Sequence, residues 1–182
     1  KISEQGEILM KGPFTLTCYY KNEEITKETL RDGWLYTGDK GYIDDDGFLY
    51  ITGRVKDIFK TSKGKYIEPG VLEAYFGNIN EFSQLCVVGL NCDQPLLLAV
   101  PSELAIKNKD SVSEKLTKVL EEVNGKLDNY KKISNIILVK EDWVPENGMT
   151  TPTLKIKRAK IDEKFSDKYV EWEKSDKTVI WE

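Results

Sequence analysis

Histidine is absent from the 182 residues. Catalysis through Ser-His-Asp or Cys-His pairs is therefore excluded within this chain, as are histidine-ligated zinc sites. Cysteine is scarce. Cys18, Cys86 and Cys92 form no C-x-x-C pair, and three thiols at these spacings make no disulfide framework. That leaves reduced, mostly buried thiols. No apolar run approaches the roughly 20 residues of a membrane-spanning helix. The polar start KISEQGEILMKG shows no secretory-leader pattern. Internal repeats and low-complexity stretches are also missing. Positive charge is not in excess: 27 Lys and Arg stand against 31 Asp and Glu, a net charge of −4, which disfavours nonspecific nucleic-acid binding. Any chemistry here rests on lysine, arginine, carboxylates and backbone.

What is present reads as a folded chain, with 40% hydrophobic and 32% charged residues. The first 55 or so residues are β-rich. Glu7 to Met10 is a short apolar run, Phe14 to Tyr20 alternates like a strand, and Asn22 to Leu30 has a brief helical tendency. Trp34 to Thr37, Tyr42-Ile43 and Phe48 to Thr52 follow, the last two joined by the turn Asp44-Asp45-Asp46-Gly47 as a hairpin. A second hairpin carries Ser62-Lys63-Gly64-Lys65 at its tip. Pro69 opens a helix at a position where its missing N–H costs nothing. Leu85 to Leu90, Leu96 to Val100 and Asn135 to Val139 suit three strands covered by helices. Ser111 with Glu114 has capping-box spacing for a helix through Tyr130. Ile161, Phe165, Tyr169 and Trp172 form the apolar stripe of a final helix. The fold class is α+β: a short β-rich N-terminal segment (residues 1–55), then a small α/β domain (56–182) with a β-hairpin and a three-stranded sheet flanked by helices.

Two blocks carry chemistry. In the first, D-G-W-L-Y-T-G-D-K-G-Y-I-D-D-D-G-F-L-Y-I-T-G-R-V-K-D-I-F-K (Asp32 to Lys60), an ionised Asp39 offers two acceptor oxygens suited to a vicinal diol such as ribose. The guanidinium of Arg54 suits phosphate or ribose oxygens. For either residue alone, a surface ion pair beside a turn glycine would suffice. In the second block, T-T-P-T-L-K-I-K-R (Thr150 to Arg158), a Thr- and Pro-containing loop delivers Lys155; taken alone it could be a solvated basic start to the last helix.

Together the blocks resemble those of AMP-forming acyl-CoA synthetases in the adenylate-forming superfamily, with T-P-T-L-K-I-K-R looking like the variant of long-chain fatty acid–CoA ligases. The resemblance runs from Gly6-Glu7-Ile8 through the tail helix. It departs at Cys18 and at Leu154, where relatives commonly have glycine. It implies that Asp39 and Arg54 bind the nucleotide, that Lys155 is catalytic, and that Lys56 is a hinge between two domain orientations. It also implies that Lys60 and Gly64 lie on a hairpin facing coenzyme A. Residues 1–55 would then be the end of a large nucleotide-binding domain and residues 56–182 a mobile C-terminal domain.

The implied reactants are a fatty acid, ATP and coenzyme A, with Mg2+ held by residues in the missing part of the large domain. Nothing here resembles the family's phosphate loop, so the chain by itself is expected to be inactive. No nucleic-acid partner is expected. A cytoplasmic location is, with peripheral association at the inner face of a membrane as a variant of it. Two alternatives stand beside this reading. One is another adenylate-forming enzyme, either loading a carrier protein or activating aryl or amino acids. The other is a noncatalytic anion-binding module using Lys155, Lys157, Arg158 and Lys160.

Overall fold

Residues 1–182 are described by a computed structural model, which divides into units of residues 1–57 and 58–182. In the first unit, β1 (Glu7–Met10) is followed by α1 (Glu23–Thr29), β2 (Leu30–Arg31), β3 (Trp34–Ile43) and β4 (Leu49–Arg54). Asn22 starts α1 by accepting from the Ile25 N–H through Oδ1 at 3.1 Å. One antiparallel sheet holds all four strands, with β3 in the middle. Where two short runs were expected around Thr37 and Tyr42, β3 is continuous over ten residues. Phe14 to Tyr20, expected as a strand, is a series of turns with only a Tyr19–Asn22 bridge, and Phe14 and Tyr20 are 71% and 85% exposed. Alternation favours a strand only where a neighbouring edge can pair with it.

The second unit begins with a hairpin of β5 (Phe59–Lys60) and β6 (Tyr66–Ile67), followed by α2 (Pro69–Ala74). Then come β7 (Phe82–Val88), β8 (Leu96–Pro101), α3 (Glu103–Lys107), α4 (Lys109–Asn124), β9 (Ile136–Leu138), α5 (Arg158–Glu173) and β10 (Val179–Trp181). The sheet has four strands in the order β10-β9-β8-β7, one more than expected. Val179–Trp181 is too short to show a period. It becomes a strand because α5 returns the chain alongside β9, pairing Val179 with Ile136 in parallel.

Side-chain alternation splits the core into two layers. Leu97, Ala99, Ile136 and Leu138 face Leu72 and Phe76 from the α2 region and Leu116 and Leu120 of α4. Leu96, Leu98, Val100 and Ile137 face Ile161, Phe165, Tyr169 and Trp172 of α5. Burial on both faces explains the near-continuous apolar runs. Ser111 does not cap α4, which begins two residues earlier at Lys109. Val112 is already buried on the Leu116 stripe, so the helix has to be under way before it. The short α3 was not evident in the sequence; Ser102 caps it, accepting from the Ala105 N–H at 3.4 Å.

Four hairpin turns share one hydrogen-bonding plan, begun by Ser3, Asp44, Thr61 and Thr151. In each, the first residue's N–H donates to the carbonyl four residues on, and its carbonyl accepts from the N–H three residues on. Its side-chain oxygen accepts from the N–H four residues on, at 2.8 to 3.2 Å. The fourth residue of each turn sits in the left-handed region. Three turns put glycine there: Gly6, Gly47 and Gly64. The fourth puts Leu154, at φ +60°.

Candidate functional site

The T-G-D segment is a bulge in β3. Glu7 of β1 pairs with Lys40 and Leu9 with Tyr36, so residues 37–39 carry two more residues than the facing strand. The bulge is pinned. The Gly38 N–H donates to Glu7 Oε1 at 2.8 Å, and Thr37 Oγ1 donates to the Ile8 carbonyl at 2.8 Å. Gly38 is at φ +73°, and a Cβ there would meet the Arg54 guanidinium at 3.3 Å. The strand ladder sets Asp39 opposite Arg54, and Arg54 Nη1 lies 3.0 Å from Asp39 Oδ1. With side chains 59% and 31% exposed, this pair is worth about 0–1 kcal/mol to stability. Stability alone gives little reason for so specific a constellation.

Beside the pair is a groove of about 440 Å³ lined by Thr37, Gly38, Arg54, Val55 and Lys56, with Glu28, Arg31 and Tyr36 among the facing residues. That volume falls within the range of small-molecule sites. The Arg31 guanidinium lies 4.6 Å from the Tyr36 ring centre. Arg54 and Lys56 therefore line the groove, while Asp39 is held against Arg54 and is not among its lining residues. Lys56 sits in a single 3-10 turn, Val55–Asp57, at the end of the first unit, its Nζ 3.3 Å from Glu28 Oε1.

In the second unit, Lys60 and Gly64 occupy the β5–β6 hairpin. Both are exposed, and Lys60 Nζ lies 5.5 Å from the Tyr66 ring centre. Lys155 is exposed at the tip of another hairpin. Its stem is closed by a Thr150–Ile156 bridge and by the Lys157 N–H donating to the Met149 carbonyl at 2.8 Å. Met149 and Thr150 are buried. The tip is exposed and the stem is fixed.

The basic run expected of an anion-binding module does not act as one surface. Arg158 is turned inward, Nη2 2.6 Å from Glu73 Oε1, and Lys160 pairs with Glu163. Only Lys155 and Lys157 remain from the proposed four. Two carboxylates that matter to the geometry, Glu7 and Glu73, were not singled out in the sequence. Each lies within or beside an apolar run, and that misplaced charge is the signal that could have marked it. No group of three or more Cys, Asp or Glu side chains is placed to hold a metal ion.

Comparison with known proteins matches residues 56–171 to the family described as AMP-binding enzyme C-terminal domain. The long-chain-fatty-acid–CoA ligase FadD15 of Mycobacterium tuberculosis is 32% identical over 91% of this chain and 31% of its own length. A probable 4-coumarate–CoA ligase of Dictyostelium discoideum is 39% identical over 71% of this chain and 23% of its own. The chain thus spans less than a third of either relative. Among solved structures, the A domain of a carboxylic acid reductase from Segniliparus rugosus, in complex with AMP and a co-purified carboxylic acid, superposes with a TM-score of 0.76. It is 24% identical, covering 90% of this chain and 27% of that one, a likeness of fold. The mixed α/β architecture, the sequence block around Lys155 and the family match over residues 56–171 agree: this chain belongs to the AMP-binding enzyme C-terminal domain family.

Proposed function

We propose that the polypeptide to which this chain belongs is an AMP-forming long-chain fatty acid–CoA ligase. In the first step a carboxylate oxygen attacks the α-phosphorus of ATP; the bond to pyrophosphate breaks and an acyl-adenylate forms. In the second, the coenzyme A sulfur attacks the acyl carbon, the bond to AMP breaks and the thiol proton is released. Asp39 and Arg54 brace the ribose side of the nucleotide, contributing through positioning rather than bond-making. Lys155 places its ammonium against charge developing on the α-phosphate and carboxylate oxygens. Lys56 is the hinge, and Lys60 and Gly64 face coenzyme A in the second step. Magnesium, which ATP chemistry of this kind implies, would find its ligands outside residues 1–182.

The observation that carries this reading is the presentation of Lys155, an exposed ammonium at the tip of a hairpin whose stem is buried in the core. Such a tip can enter a second body without unfolding its own. In the intact enzyme, Lys155→Ala is expected to slow acyl-adenylate formation by about 10²–10³-fold. Thioester formation from supplied acyl-adenylate should stay within about twofold of the parent on the same argument. Rapid-quench measurement of the two half-reactions checks this; equal loss in both would count against the assignment.

An aryl acid is the second substrate reading, favoured by the 39% identity to the Dictyostelium 4-coumarate–CoA ligase. Long-chain acids are preferred because the FadD15 similarity extends over nine tenths of the chain. A panel of fatty and aryl acids on the intact enzyme decides between them.

A further inference from the structure

Three residues beyond Lys155, at the first turn of α5, Arg158 leaves the surface. Its side chain is 14% exposed. Nη2 lies 2.6 Å from Glu73 Oε1 on α2; Nη1 donates to the Val87 carbonyl on β7 and lies 2.9 Å from Cys86 Sγ. The Val87 N–H donates to the same Glu73 oxygen at 2.8 Å. One guanidinium therefore joins the base of the Lys155 hairpin to a helix and a strand 71 to 85 residues earlier in the chain.

A pair this buried is a poor device for stability. Removing two charges from water costs about as much as their attraction returns, and apolar replacements of similar volume are often neutral or better. What the pair supplies is direction. A planar fork held by a carboxylate, a carbonyl and a thiol fixes the start of α5, and so the stem from which Lys155 projects.

We propose that the Glu73–Arg158 pair positions Lys155, setting where the ammonium arrives during adenylate formation. This rests on the reading of Lys155 given above. Arg158 touches no reactant; it is a positioning residue acting through the hairpin. Lysine can keep the charge at position 158 but cannot bridge Glu73 and Val87 with one planar group. Displacement of a catalytic group by an ångström costs on the order of 10²-fold.

The test uses the intact enzyme with Arg158→Lys, Glu73→Gln and Lys155→Ala, each half-reaction being measured separately. Glu73→Gln keeps an acceptor for the Val87 N–H but takes away a carboxylate facing a buried guanidinium, which is itself destabilising, so the thioester half-reaction is the check that each variant has folded. Arg158→Lys and Glu73→Gln are expected to lower kcat for adenylate formation by about 10-fold or more, leaving KM for ATP and the thioester step within about twofold. A purely structural loss would lower both half-reactions together, and that result overturns the proposal. So does adenylate formation within about twofold of the parent in both variants while Lys155→Ala slows it by about 10²-fold or more. If Lys155→Ala itself spares adenylate formation, the reading of Lys155 fails first.

Discussion

Cys92 is fully buried, and burial together with the nearby Glu173 carboxylate pushes its thiol up to about 12, from an ordinary value of 9.0. Cys86 is buried too, while Cys18 is exposed. A thiol reagent at pH 8 is therefore expected to modify one residue, Cys18, in the folded chain and all three after denaturation. A count of two or three in the native state would contradict the burial of these side chains. The raised Cys92 value also sets a pH trend. Above pH 9 the unfolded thiol ionises and the folded one does not, so stability present below pH 9 declines as pH rises toward 12. Burial and the Asp162 carboxylate likewise push the Tyr169 phenol up, and its contribution falls in the same direction. Melting temperatures from pH 8 to 11 check the sign. Presence of these thiols and absence of histidine are facts of the sequence; which thiol meets water is a fact of packing.

At the scale of elements, the four equivalent turns make a comparison within one molecule. The β5–β6 turn has Gly64 at φ +78°, and a Cβ there would meet only the Lys60 Cε, at 3.5 Å. The cost of a side chain at this site is therefore backbone strain rather than collision. Gly64→Ala is expected to lower stability by about 1 kcal/mol. The Lys155 turn already bears that strain, with Leu154 at φ +60° and 65% exposed. Leu154→Gly is expected to raise stability by about 0.5–1 kcal/mol, the relief being partly offset by the entropy of an added glycine. Urea unfolding of the two variants decides; opposite signs are the expected outcome. The turn glycines, Gly47 after three aspartates and Gly64 within Ser62–Lys65, made these two hairpins legible in the sequence. The Thr151 turn lacks the glycine, so it read only as a loop.

Across the whole molecule the two units differ in how much they bury. In residues 1–57 the buried apolar side chains are Ile8 and Leu9, whereas both core clusters belong to residues 58–182. The β3–β4 hairpin leaves Tyr42, Ile43, Phe48, Leu49, Tyr50 and Ile51 exposed. A sheet of this size with so little core is marginal unless more chain packs on it. Under the proposed function, the fatty-acid site and the phosphate loop belong to that further chain. The 182-residue chain alone is then expected to form no acyl-CoA from fatty acid, ATP and coenzyme A; detectable thioester by mass spectrometry would refute this.

The sequence by itself determined the strands and helices that carry their own periodicity, the α5 stripe and the apolar runs of β7, β8 and β9. It also determined the presence of T-G-D, Arg54 and Lys155, because motif residues are visible without a fold. Tertiary structure decided the rest. Parallel pairing made a strand of Val179–Trp181, and the missing neighbour left Phe14 to Tyr20 in turns. Strand register brought Asp39 to Arg54, and the Glu73 carboxylate with the Val87 carbonyl turned Arg158 inward while Lys155 stayed outside. A local pattern specifies what a segment can form. Which partner it meets, and so whether a charge is a tether or a tool, depends on residues tens of positions away.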